Sequence, residues 1–151
     1  MKDFILVHHA SGAPGLRAFG LGPKLMPLRG IKKLQTLFKE NTSWANQRNR
    51  KDLKKILFKS DVVVSVWEDT RLVGFGRATS DNVYRAILWD IVVEKKHQKS
   101  GIGKKIVKAL LSNKLISEVE RIYIMTTKCE RFYSKMGFKL SKSQKLMFLK
   151  K

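Results

Sequence analysis

The segment Gln98-Lys99-Ser100-Gly101-Ile102-Gly103-Lys104 holds the residues best suited by type and spacing to chemistry. It follows the apolar run Ile87–Val93 and opens a helical pattern. A strand running through a glycine turn into a helix aims several unpaired backbone N–H groups at one point. The helix dipole adds partial positive charge there, which suits a phosphate or pyrophosphate. Gly101 and Gly103 lack the Cβ atoms that would hold a ligand off the backbone, and Lys99, Lys104 and Lys105 add full charges. On spacing alone, an ordinary glycine turn before a solvated lysine helix is an equal reading. The dinucleotide fingerprint needs a third glycine where Ile106 stands, and no stretch supplies a P-loop.

Three histidines and a single cysteine, Cys129, show no metal-ligand spacing, so no metal site is expected. One cysteine also allows no internal disulfide, which fits a reducing compartment. The chain has 151 residues, a formal net charge of +20 and 43% hydrophobic residues. That composition excludes a disordered chain, and no apolar run approaches the ~18 residues of a membrane span. The apolar stretch after Met1-Lys2-Asp3 is too short for a signal peptide, so the expected setting is the compartment of synthesis. Between Asp3 and Glu40 there is no acid, and Lys139–Lys151 holds five lysines and no acid. Such a field attracts nucleic acid, anionic membrane surfaces or nucleotide-bearing ligands, or it serves solubility alone.

The elements that must position the turn read as follows. Residues 8–30 carry all three prolines and five of the ten glycines, which predicts an irregular arm. Ile31, Leu34, Leu37 and Phe38 fall at helical spacing, and Leu53, Ile56 and Leu57 suggest a second short helix. Strands are expected at 62–67 and 72–77 as a hairpin, and then at 84–93. A helix follows Gly103, burying Ile102, Ile106, Val107, Leu110 and Leu111. A strand is expected at 122–125, a short helix from Glu130 to Met136 ended by Gly137, and a last strand over Leu146–Leu149. The division is an N-terminal arm plus first helix over 1–45 and a catalytic-type region over 46–151, within one domain.

This order, with the strand–Gln-x-x-Gly-x-Gly–helix junction and Phe132-Tyr133-x-x-x-Gly137-Phe138 beyond it, resembles the GCN5-related N-acetyltransferases over about residues 60–149. Leu72–Asp81 followed by Trp89–Val93 is similar to a cyanobacterial and plastid branch related to plant serotonin N-acetyltransferases. The resemblance implies an α+β fold with a mixed, mostly antiparallel sheet, helices on both faces and a splayed central strand pair. It implies acetyl transfer from acetyl-CoA to a primary amine by direct attack, without a metal, in a cytoplasmic or plastid-stromal setting. The backbone of Ile91, Val92 and Val93 would pair with the pantetheine arm, and the amides from Gln98 through Lys104 (Gln98, Lys99, Ser100, Gly101, Ile102, Gly103, Lys104) would hold the pyrophosphate. Tyr133 would protonate the leaving thiolate, or it is a core aromatic beside Phe132 and Phe138. Asp90, with apolar neighbours in sequence and a pKa that burial would raise, is the base, or it only orients other groups. Thr127 stands where relatives often carry an Asn near the pantetheine. Trp67, Tyr84 and Trp89 are candidate stacking partners for an aromatic amine, with core packing the alternative. Asp81, Asp90 and Glu130 are the candidate acids of an acceptor cleft. The alternative from another class is a basic RNA- or ribosome-associated binding module on the same fold.

Overall fold

The computed structural model describes residues 3–151; Met1 and Lys2, and with them the first residues of the expected arm, lie outside the described residues. Strand β1 (Phe4–His9) is followed by helices α1 (Pro14–Phe19), α2 (Gly30–Asn41) and α3 (Arg50–Phe58). The meander β2 (Val62–Glu68), β3 (Arg71–Ser80) and β4 (Arg85–Val93) comes next. Helices α4 (Ile102–Ser112) and α5 (Lys114–Ser117), strand β5 (Arg121–Ile124) and helix α6 (Glu130–Ser134) complete it. The sheet order is β1-β2-β3-β4-β5, antiparallel except for the parallel β4–β5 pair.

Each face of the sheet carries its own core because side chains alternate along a strand. Val63, Trp67, Phe75 and Val92 pack with Leu16, Leu34, Phe38 and Leu53 from the first three helices. Val62, Val64, Val66, Val73 and Leu88 pack on the opposite face with Ile102, Ile106, Val107 and Leu110 of α4. α4 sits very close to β3: a Cβ at Gly76 would lie 2.6 Å from Ile106 Cγ2. Its lysines 104, 105 and 108 remain exposed, as the helical spacing requires.

Two sequence expectations are corrected. The arm over residues 8–30 is not irregular throughout. His8 and His9 end β1, α1 begins at Pro14, and a 3₁₀ turn spans Pro23–Leu25. The prolines start these helical pieces rather than prevent them. β1 escapes a sequence reading because its short apolar run shows no clean alternation; its partner lies far along the chain, with Phe4 opposite Glu68 and His9 opposite Val63. The last strand does not form: Leu146, Met147, Phe148 and Leu149 are 73–89% exposed and carry no regular structure. A strand needs a ladder partner to satisfy its backbone, and β5 pairs only with β4.

β1 also carries a titratable group. Ser65 Oγ lies 2.8 Å from His9 Nε2 and accepts Trp67 Nε1–H at 2.8 Å. With that acceptance made, the hydroxyl proton points to a neutral imidazole. Burial, and then the neighbouring His8, lower the His9 pKa from 6.5 to about 4. A lowered histidine pKa means the unfolded chain binds more protons between those values, so stability is complete above 6.5 and drains as pH falls toward 4. The expected loss is at most about 3 kcal/mol. Thermal melts at pH 7 and 4.5 check it, since His9→Gln should flatten that part of the pH dependence.

Candidate active site

The site begins at a defect in the sheet. β4 pairs with β5 only from Arg85 to Leu88, opposite Arg121 to Ile124. The pairing stops at Leu88 because β5 ends opposite it, at Ile124. At the same place the β3–β4 register slips between Phe75 and Arg77, and Asp90 takes φ 54°, in the left-handed region. A bulge of this kind bends the strand and raises its local twist, and the rest of β4 has no partner on its β5 side. Val92 and Val93 remain paired with Phe75 and Gly74, and Glu94 N–H donates to Val73 O at 2.8 Å. Backbone groups alternate along a strand, so those of Ile91 and Val93 face the open edge, and those of Val92 face β3. The Gln98 side chain reaches this edge, with Nε2 donating to Val93 O at 3.2 Å.

The turn completes the site. Lys99 (φ 64°) and Gly101 (φ 90°) both lie in the left-handed region, which curls successive N–H groups toward one side. Gln98 N–H is spent on Lys95 O at 3.3 Å. Among the described residues, no acceptor meets the N–H groups of Lys99, Ser100, Gly101, Ile102, Gly103 or Lys104. A Cβ at Gly101 would meet nothing within 4 Å, so the turn opens on free space.

His97 anchors this turn from beneath, a role the sequence reading missed. It is 8% exposed, and its Nε2 lies 3.3 Å from both Glu68 Oε2 and Glu94 Oε2. Ser100 Oγ–H donates to His97 O, and Arg71 pairs with Glu94. The segment is thereby tied to the ends of β2 and β4. The only signal in the sequence was a histidine among lysines three residues after Glu94, which does not reveal the approach of Glu68.

α6 brings the second motif to the same place. A Cβ at Gly103 would lie 3.4 Å from Phe132 Cζ and 3.7 Å from Val93 Cγ2. Tyr133 is 8% exposed, with its ring edge-to-face against Phe132 at 4.9 Å and Phe138 at 5.9 Å. Its hydroxyl forms no hydrogen bond among the described residues. Burial, and then the nearby Cys129, push its pKa up to about 12. The phenol therefore keeps its proton across the physiological range, which leaves it available as a donor.

Asp90 departs from the apolar surroundings that its sequence neighbours suggested. Its side chain is 5% exposed, and Arg77 Nε donates to Oδ2 at 2.6 Å. Arg48 Nη1 lies 2.9 Å from the same oxygen without hydrogen-bond alignment. Oδ1 takes no hydrogen bond among the described residues. Arg77 lies over the Trp89 ring, and Arg48 is 5.2 Å and 5.4 Å from the Phe38 and Trp44 ring centres. Sequence reasoning missed Arg48 because nothing local ties residue 48 to residue 90.

The other candidates disperse. Trp67 is wholly buried, Tyr84 is 59% exposed, and Trp89 Nε1–H donates to Thr79 Oγ1. The Asp81 carboxylate accepts the amides of Val83, Tyr84 and Arg85, which hold its pKa below the usual value. Glu130 opens α6, and Thr127 lies exposed in the preceding loop. Among the described residues, no group of three or more His, Cys, Asp or Glu side chains is arranged to hold a metal.

A strand running past the end of its neighbour, an amide-lined turn and an aromatic helix beside it form one arrangement. The model of the GNAT acetyltransferase domain matches residues 59–140, which include all three. The chain belongs to the GNAT family. It is 34% identical to an N-acetyltransferase, ycf52, of Porphyra purpurea, over 66% of this chain and 59% of the relative. It is 35% identical to GCN5-related N-acetyltransferase 1, chloroplastic, of Arabidopsis thaliana, over 59% of this chain and 48% of that protein. The chain thus spans about three fifths of the first relative and about half of the second. A GNAT-family acetyltransferase of Streptococcus pneumoniae shares the fold, with a TM-score of 0.73 at 17% identity over 98% of each chain. The GNAT model begins just after α3 ends, so β1 and the first three helices lie outside it.

Proposed function

We propose that this GNAT protein transfers an acetyl group from acetyl-CoA to a primary amine by direct attack. The observation that carries the reading is the open β4 edge at Ile91 and Val93 running into six unpaired amides. Acetyl-CoA supplies an activated thioester, a peptide-like arm and a diphosphate. The edge suits the arm, because an extended amide chain can pair with a strand. The amides of Lys99–Lys104 and the α4 N-terminus suit the diphosphate, and Thr127 is proposed as a further contact to the arm.

For the chemistry, Tyr133 donates to the departing sulfur. Asp90 Oδ1 accepts the proton of the attacking amine, while Oδ2 stays fixed by Arg77 and Arg48. An alkylamine with a pKa of about 10 is almost wholly protonated at pH 7, so an acceptor for that proton is required. The half-buried Trp89 and the exposed Trp44 flank these guanidiniums, which supports an acceptor with an aromatic ring. The name of the chloroplastic Arabidopsis relative supports a plastid setting, and among the described residues no helix is long and apolar enough to cross a membrane.

Isothermal titration with acetyl-CoA, followed by turnover against a panel of primary amines, tests the proposal. Absence of binding at low salt would defeat it. The turn makes a further expectation. Gly101→Val introduces no clash but forces a branched residue to φ 90°, costing about 1–2 kcal/mol. Acetyl-CoA affinity should fall about tenfold, and the melting temperature by about 5 °C. Titration of the variant checks this.

A further inference from the structure

Beside α1, α2 and α3 lies a concavity of about 400 Å³. Five cations line it, Arg17, Arg29, Lys32, Arg50 and Lys54, together with Phe19, and no carboxylate does. Among the described residues, none of the five forms an ion pair. A neighbouring cleft of about 330 Å³ shares Arg29 and Lys32 and adds Lys33 and Arg71. Its two acids are Glu94, already committed to Arg71 and Lys96, and Glu40, near the C-terminal end of α2, so four cations outnumber them and the shared Arg29 and Lys32 join the two concavities into one basic track. The N-terminus of α2 contributes partial positive charge, with no acid in its first turn.

Cations gathered without counter-charges repel one another, and an anionic occupant relieves that cost. The occupant's chemistry can be narrowed. Phe19 in the lining is 74% exposed. Phe58, 58% exposed, has Arg17 5.0 Å and Lys59 5.6 Å from its ring centre. Bare aromatic faces along a phosphate-binding groove are how proteins hold unpaired bases. A bilayer surface calls for a flat face rather than a concavity, and an acidic peptide gives the rings nothing to stack.

We infer that this track binds the phosphodiester backbone of a single-stranded nucleic acid, with Phe19 as a stacking platform. The inference stands apart from acetyl transfer, and its test uses no acetyl-CoA. Fluorescence anisotropy with labelled U20 and dT20 measures binding by the whole chain across a salt series. At least one probe should bind, with affinity falling steeply as salt rises. The triple variant Arg17→Ala, Arg50→Ala, Lys54→Ala should weaken binding about tenfold or more and reduce the salt slope by about 2, at ~0.7 per lost phosphate contact. A triple variant elsewhere (Lys114→Ala, Lys139→Ala, Lys142→Ala) removes the same charge and should have a much smaller effect. Phe19→Ala should weaken binding with the slope unchanged. Lys54→Glu alone provides the same test should the triple variant fold poorly. Failure of both probes to bind at low salt would overturn the inference. So would equal losses in the two triple variants, which would assign binding to the overall field.

Discussion

Tyr133→Phe should lower kcat by about 100-fold or more while leaving the KM for acetyl-CoA and the melting temperature nearly unchanged. The magnitude is that of a positioned proton donor. The stability expectation follows from the packing: the ring lies between Phe132 and Phe138, and its hydroxyl forms no hydrogen bond among the described residues, so removing the oxygen orphans nothing. The pH profile adds an independent check. Burial holds the phenol's pKa near 12, so the donor form persists to high pH. The wild-type rate should rise as the amine deprotonates and show no descending limb from this group below about pH 11. An unchanged kcat in the variant would leave Tyr133 as a packing residue only.

The second large effect is expected at Asp90. Asp90→Ala removes the counter-charge of Arg77 and Arg48 where the carboxylate is 5% exposed. Breaking a buried pair from one side costs about 3–5 kcal/mol, and the lower figure applies because Arg48 is 30% exposed. For a chain of this size the melting temperature should fall by about 10 °C. Asp90→Asn keeps the shape and loses less stability. If Oδ1 takes the amine proton, its kcat should nevertheless drop about 100-fold and recover toward high pH, where the amine deprotonates unaided. A stable Asp90→Ala variant would refute the ionic anchoring. A fully active Asp90→Asn variant would reduce the residue to a positioning role.

The parts of this molecule legible in the sequence are those encoded locally. The β2–β3–β4 meander and the glycine turn into α4 declare themselves within a few residues, through apolar periodicity and turn chemistry. The Phe132-Tyr133 motif gained its meaning from its distance to that turn. Contacts between distant segments stayed hidden. β1 is defined by pairing with β2, and Arg48 reaches Asp90 only because α2 and α3 pack over the sheet. His97 meets Glu68 only through the sheet's registration. The error at Leu146–Leu149 has the same origin: alternation describes a face, but whether a strand exists depends on a neighbour to bond with. At Asp90, sequence neighbours misled because a left-handed residue in a bulge no longer points where strand alternation would send it.

β1 has a consequence for how the chain is made. The ribosome releases Phe4–His9 well before their hydrogen-bonding partners, Val63–Glu68. Synthesis of more than fifty intervening residues must pass before that edge can zip closed. The earlier segment therefore waits, as an apolar ribbon, for the seam that joins it, and its docking closes a loop of more than fifty residues.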